Sequence, residues 1–472
     1  MASAEIGIRE LTNILTLEGL TQVHVSVDGR ALPRLAEKWA WEGDGLRLRL
    51  SLRPGVTFHD GTPLVPELAA KIIGEAIARP GNRALYPSLN DITEVRADGD
   101  QQIVIDLSQR SALLPEDLVF PLAIRNGSEE IGTGAYRVAG RESGQVILEG
   151  FEQYYLGAPR IRRLVVSPFE TMRTAWTSLL RGDVDMITDV PAEAVEFVRN
   201  DDIEVLSFAR SFQFLIAFNS RRPPFTSPTV RRALNVAIDR EALIKNVLQG
   251  HGVAATGPFW PKHWAYDPSV ASSSFDRTFA TSLLDRAGFE PGASRATSEI
   301  PGARIRFTCL LPADFSVLER IALDLQKQLY EIGVDMQFQV VPIEEYGVRI
   351  RTGQFDAVLI DLISGPSLSR PYVFWGSARR FKGINEFGYE NPEAERLFGL
   401  LRTSINEAAV RSAVSRLQRV LLDDPPALFL AWNERTRAVR RDFRIVYEED
   451  QDPLFTIRQW TENTDRDPVS TE

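Results

Sequence analysis

Sulfur and metal-ligating side chains are scarce in this chain of 472 residues. A single cysteine, Cys309, excludes an intrachain disulfide. It falls in the apolar stretch 305–311, where a small buried residue is the plain reading. The four histidines, His24, His59, His251 and His263, are not spaced as a zinc pair would be, so no metal site is expected. There is no Gly-Lys dipeptide and hence no P-loop. His-Glu-x-x-His and Gly-x-Ser-x-Gly are absent as well. No apolar run approaches the length of a membrane span. Lysine is almost missing, with six against a large excess of arginine, which reads as base composition rather than function. Met1-Ala2-Ser3-Ala4-Glu5 has no basic region leading into an apolar core, so no signal peptide is read there. That leaves a cytoplasmic protein, or one whose signal has been removed. A net charge of −10 argues against nucleic acid as a partner.

What is present describes two or three packed domains. Hydrophobic residues make up 44% and charged residues 25%, the balance of a globular chain with substantial cores. Residues 14–17 and 23–27 have the character of short strands. Alternating apolar and polar residues predict a hairpin over 35–52, turning at Glu42-Gly43-Asp44-Gly45. Helical spacing follows over 66–78, and a second hairpin over 92–107 turns at Ala97-Asp98-Gly99-Asp100.

Beyond Gly132 strands and helices alternate: strand 161–167, helix 170–181, strand 184–188, helix 192–199 and strand 204–208. The order recurs as strand 304–311, helix 316–332, strand 334–341, helix 343–352 and strand 355–361. Alternation of this kind predicts open α/β sheets. The apolar run 212–218 ends in Asn219, and Pro223 and Pro224 stop the strand soon after. A helix over 227–248 follows, opened by Pro228 and closed by Gly250. Helical spacing runs over 392–422, and the apolar run 427–432 reads as a return crossover. Phe218 and Asn219, with Ala431 and Trp432, are therefore the expected hinge between two α/β lobes. Ligands of such sheets sit at the carboxyl ends of the strands. The polar tail from Thr461 is expected to fray.

Few groups have the pattern of a catalytic site. Gly132-Thr133-Gly134 starts like a dinucleotide loop, but Arg137 stands in the sixth position and a strand follows, so no cofactor is expected. His59 beside Asp60 could be a base or a turn histidine. Asp183 and Asp185 could do acid–base work or edge a solvated strand. Aromatic residues gather in two expected loops, Phe259, Trp260, Trp264 and Tyr266 in one and Tyr372, Phe374 and Trp375 in the other. Each could fill a core; together they suit the wall of a pocket.

Several stretches resemble the family 5 extracellular solute-binding proteins, the oligopeptide, dipeptide and nickel-binding group of ABC importers. They are, in order, Leu32-Pro33-Arg34-Leu35-Ala36-Glu37-Lys38-Trp39, the run 52–63 with its Phe58-His59-Asp60-Gly61-Thr62-Pro63, and Gly132-Thr133-Gly134-Ala135-Tyr136. Tyr155-Leu156-Gly157-Ala158-Pro159, Gly182-Asp183-Val184-Asp185, the run 218–225 and Val230-Arg231-Arg232-Ala233-Leu234 follow. Ala237-Ile238-Asp239-Arg240, the run 283–289 and Tyr389-Glu390-Asn391-Pro392 complete the set.

The resemblance implies a two-lobed type II periplasmic-binding-protein fold of the α/β class, with an extra hairpin-rich subdomain in the first lobe. The first lobe would comprise 1–23, 132–218 and 433–472, the subdomain 24–131, and the second lobe 219–432. It implies a monomer that captures a small or medium solute, peptide-like or other, by lobe closure and hands it to a membrane permease. His59, Asp60, Asp183 and Asp185 become structural, no catalysis is implied, and the signal peptide is expected to have been removed. Ligand contacts are expected from Trp260, Tyr346, Ser364, Ser367, Tyr372, Trp375, Asn385 and Trp432. Peptide-binding members carry an Asp shortly after the strand 355–361, whereas this chain reads Ile363-Ser364-Gly365-Pro366-Ser367 there. Recognition of a free peptide amino terminus is therefore not implied. Two other classes remain open: a ligand-sensing domain of a regulator, and a hydrolase built on the His59/Asp60 or Asp183/Asp185 pair.

Overall fold

The computed structural model describes residues 2–23, 28–127, 129–191, 194–270, 275–291, 303–313, 315–377, 384–448 and 450–464. His24, residues 24–27 of the strand expected over 23–27, and the tail from residue 465 lie outside the described residues.

One sheet spans both lobes. Its order is Met186–Ile187, Ala427–Arg440, Ile203–Phe218, Ala357–Ile363, Ile305–Pro312 and Val334–Val341, with Gly252–Ala254 added beside Ala427–Arg440. Two of these strands are long enough to belong to both lobes. The lower half of Ile203–Phe218 pairs with the upper part of Ala427–Arg440, Ile203 opposite Arg440 and Ala209 opposite Glu434. Its second half pairs on both sides, with Ala427–Trp432 and with Ala357–Ile363. Residues 213–218 are correspondingly buried on both faces. Phe214, Ile216 and Phe218 enter one core of the second lobe, while Leu215 and Ala217 enter the other.

The ladder breaks between the lobes, and a smaller one-residue shift follows within the second lobe at Phe214/Leu215. The register shifts between Ala209 and Gln213, opposite Glu434 and Trp432. Arg210, Ser211 and Phe212 occupy the break and are half-buried. Ala431 and Trp432 lie at its edge. Phe218 and Asn219, expected at the hinge, lie instead at the far end of the strand, deep in the second lobe. Phe218 stacks on Phe225, and Asn219 donates to the carbonyls of Gly353 and Phe355 at 3.2 and 3.0 Å.

The subdomain is a four-stranded antiparallel sheet in the order Ala36–Glu42, Arg47–Leu52, Gln102–Leu107 and Ile92–Ala97, covered by the helix Pro66–Ile77. The alternating leucines Leu48, Leu50 and Leu52 point into its core. Several other expectations change. Residues 14–16 are the end of a helix, Ala2–Thr16, rather than a strand. The helix expected over 227–248 is two, Pro228–Val236 and Arg240–Asn246, because Asp239 leaves the helix and caps the second by accepting from Ala242 N–H. Asn406 divides 392–422 in the same way, into Pro392–Thr403 and Glu407–Asp423. Tyr372, Phe374 and Trp375 stand on a short helix, Ser369–Trp375, and not in a loop.

The stretches with the strongest family character are structural. Buried Glu18 accepts from Thr133, Tyr154 and Tyr155 hydroxyls at 2.9, 2.7 and 3.1 Å and pairs with Arg34. His59 places a ring nitrogen 3.0 Å from the Gly134 carbonyl, and burial lowers its pKa, which favours neutral imidazole. A Cβ on Gly134 would stand 2.5 Å from the Leu15 carbonyl oxygen, so only glycine lets the chains pass. Asp60 caps its own turn through Thr62 N–H. The Asp185 carbonyl accepts from Arg440 N–H, and Asp183 is exposed.

Candidate functional site

The subdomain closes against the second lobe through polar contacts between residues distant in sequence. Glu116, in the short helix Leu114–Asp117, accepts from the Ser367 hydroxyl at 2.7 Å and from Leu368 N–H at 2.9 Å. Its neighbour Asp117 accepts from the Ser369 hydroxyl at 2.6 Å and from Ser88 N–H at 2.9 Å. Arg402 makes a two-pronged pair with Asp91 and donates to the Tyr372 hydroxyl at 2.7 Å. Arg370 donates to the Leu85 carbonyl at 2.8 Å. At the other end, Trp264 N–H donates to the Asp28 carbonyl, and Arg30 pairs with Glu407. Gly29, at φ +75°, lets the backbone lie against His263 and the Pro366 carbonyl, where a Cβ would meet the imidazole at 2.4 Å.

A second charged cluster surrounds the break in the long strands. Glu10 from the first helix approaches Arg435 at 3.2 Å and Arg210 at 3.7 Å. Arg210 also reaches Asp361 at 3.4 Å, and its guanidinium lies 4.2 Å from the centre of the Phe212 ring. Asp361 accepts from Asn433 at 3.1 Å through Oδ2, while its buried Oδ1 has no hydrogen-bond partner among the described residues. Burial raises its pKa.

The expected ligand residues divide into three groups. Trp260 and Trp432 meet edge to face with ring centres 5.0 Å apart, and the Gly365 backbone presses on the Trp432 ring. Ser364 belongs to the same corner, its N–H donating to the Ser211 carbonyl at 2.9 Å. Ser367 and Tyr372 lie on the subdomain seam. The other three are engaged elsewhere. Tyr346 is buried and donates to the Leu359 carbonyl at 2.9 Å. Asn385 uses its amide to hold its own loop, donating to Gly376 and Tyr389 carbonyls and accepting from Gly388 and Tyr389 N–H. Trp375 stacks on Phe387 and meets Phe429 edge-on. A cavity of about 30 Å³ lies under the 254–261 loop, walled by Trp432, Tyr266 and Gln418. It has room for roughly two waters and not for a solute. Among the described residues no cluster of three His, Cys, Asp or Glu is placed to hold a metal, and no helix is long and apolar enough to cross a membrane.

Sequence reasoning missed Asp91, Glu116, Asp117, Arg370 and Arg402. Each is an ordinary charged residue locally and gains its role only from a partner hundreds of residues away.

The seam carries a pH expectation. Glu116 is pushed up to about 7, chiefly by burial, with the bonds from Ser367 and Leu368 pulling the other way. Burial raises Asp117 as well, against its bonds to Ser369 and Ser88 and the charge of Arg370. A carboxyl raised in the closed form supports closure fully below its ordinary value of 4.5, and that support is lost as pH rises through about 7. Small-angle scattering is expected to show the molecule expanding from about pH 5 to about pH 8, and Glu116→Gln should flatten the change. A wild-type profile flat over that window would rule the switch out.

Two α/β lobes sharing a pair of through-running strands, one lobe carrying an added subdomain, define a type II periplasmic-binding fold. NikZ from Campylobacter jejuni, solved in complex with Ni(L-His), has this fold at a TM-score of 0.79 and 21% identity, over 95% of this chain and 94% of that one. Residues 30–380 match the family described as "Bacterial extracellular solute-binding proteins, family 5 Middle", and the chain belongs to that family. It is 24% identical to the oligopeptide-binding protein AppA of Bacillus subtilis over 455 residues, 90% of this chain and 82% of that protein. It is 26% identical to the glutathione-binding protein GsiB of Pectobacterium atrosepticum over 442 residues, 86% of this chain and 80% of that protein. The family is one of binding proteins.

Proposed function

We propose that this protein captures a small or medium solute between its lobes and delivers it to the permease of an ABC importer, outside the cytoplasmic membrane and as a monomer. The observation that carries this reading is the ladder break at 210–212, facing 432–434, in the two strands shared by both lobes. A rotation concentrated there would move the lobes while each half-sheet stays paired. We place the hinge at Arg210–Phe212 and Asn433, and the divide between lobes within these strands rather than at Phe218–Asn219.

The solute would lie between the second-lobe corner of Trp260, Ser364 and Trp432 and the subdomain edge bearing Glu116. The Ser367 and Tyr372 contacts would close over it. AppA and GsiB are named for an oligopeptide and glutathione, and NikZ was solved with Ni(L-His). All three are built on amino acids, which makes an amino-acid-derived solute the first class to screen. The reading assigns the chain no catalysis.

Mass spectrometry of the purified protein, under native and denaturing conditions, tests this directly. A defined extra mass lost on denaturation is expected, and the same solute at about 100 times its Kd should add roughly 2.7 kcal/mol of stability. If no mass is released, the next step is a screen of peptides, glutathione and metal–amino acid chelates. A screen in which nothing raises the melting temperature or compacts the molecule would overturn the reading.

A further inference from the structure

The first lobe carries a groove of about 520 Å³ that takes no part in the interlobe seam. Three chain segments build it. Arg160 comes from the loop before the strand Arg163–Val166, Arg444 from the short strand Phe443–Arg444, and Arg458 from the last turn of the 3-10 helix Pro453–Gln459. Gln459 and Thr461 add hydrogen-bonding groups, and among the described residues no carboxylate lines the groove.

The frame under these arginines is held firmly. Arg160 N–H donates to the Arg458 carbonyl at 3.2 Å, and Arg444 faces Thr461 in the strand pair. Asp452 caps the 3-10 helix and is gripped from below by Arg437, which is fully buried. Trp460 is buried beneath and donates to Thr456.

Charge sets the groove apart from its surroundings. Acidic residues outnumber basic ones by 64 to 54, and neighbouring arginines are neutralised: Arg162 by Glu152, Arg440 by Asp442 and Arg441 by Glu204. Among the described residues, Arg160 and Arg458 have no acidic partner. Holding these two guanidinium groups around one concavity costs electrostatic energy, and a bound anion would relieve it. Guanidinium forks match phosphate oxygens two at a time, and the volume leaves room for a group attached to the phosphate.

We propose that this groove is a phosphate-binding site, taking a phosphate monoester group carried by a small soluble molecule or by a lipid headgroup. It is independent of the interlobe site.

Calorimetric titration of the full chain with inorganic phosphate, at ionic strength held constant with chloride, reads the site. One saturable event is expected, weakened at least about tenfold in the Arg160→Ala/Arg458→Ala double variant and unchanged in Arg162→Ala. Charge reversal by Arg458→Glu should abolish it. Sedimentation with phosphatidylcholine vesicles, with and without phosphatidic acid, separates the two sources. Vesicle binding that needs phosphatidic acid and is lost in the double variant assigns the lipid. Phosphate binding without vesicle binding assigns a soluble phosphate. If neither phosphate nor vesicles bind, or if binding survives in the double variant, the proposal is overturned. Solute capture between the lobes should be unaffected by the double variant, so the two sites are tested separately.

Discussion

Replacing Trp375 by Ala is expected to lower the free energy of unfolding by about 3–5 kcal/mol, as large-to-small substitutions of buried aromatics do. The ring is 2% exposed, its centre 5.5 Å from that of Phe387 in a stacked arrangement and 5.8 Å from that of Phe429. Phe429 belongs to the return strand, so the cavity would open against the shared sheet itself. The sequence suggested a ligand contact in a pocket wall. Burial changes the expected effect: stability should fall first, and binding should follow because Trp375 ends the helix that presents Ser369, Arg370 and Tyr372 to the subdomain. Chemical denaturation monitored by circular dichroism measures the loss. A change below about 1 kcal/mol, together with weakened solute binding, would restore the ring to the pocket.

The same residue shows where the sequence could be read and where it could not. Tyr372, Phe374 and Trp375 were expected in a loop. Pro371 in fact stands in the first turn of the helix, where a missing N–H costs nothing. The hairpins of the subdomain were legible because Leu48, Leu50 and Leu52 alternate with polar residues on a half-buried strand. The two lobes were legible from alternating strands and helices. The hinge was less so. Arg210 and Ser211 interrupt the apolar pattern and read as a gap between two strands, yet the chain continues through them on the same partner strand. The polar seam left no local trace. Asp91 and Arg402 are 311 residues apart and Glu116 and Ser367 are 251 apart, and nothing within a window of either pair announces the other. Trp260, Trp432 and Ser364 do gather in one corner: Ser364 follows the end of Ala357–Ile363, Trp432 stands at the ladder break, and the loop after Gly252–Ala254 brings Trp260 against the Trp432 ring.

Arg402→Met is expected to act on closure more than on folding. Arg402 and Asp91 are 9% and 3% exposed, and the pair spans the subdomain and the second lobe. Removing one partner of such a pair leaves a buried charge uncompensated, a cost of about 3–5 kcal/mol in a rigid structure. Among the described residues Asp91 would keep only the Gln109 amide, at 2.8 Å, and the Tyr372 hydroxyl would lose its bond from Arg402. A two-lobed molecule has another way to relieve the strain: opening returns Asp91 to water while each lobe stays folded. The melting temperature should therefore fall modestly, while scattering shifts toward an expanded form and solute affinity drops with the loss of the closed population. Asp91→Asn combined with Arg402→Met removes the stranded charge and should recover part of that affinity, and the double-mutant cycle isolates the coupling. If Arg402→Met unfolds as easily as Trp375→Ala, the pair holds the fold rather than the closure. If it scatters and binds like the wild type, the seam contributes nothing to either. Between those limits the pair sets how much of the closing free energy the protein supplies itself, and so how little a solute must contribute to be captured.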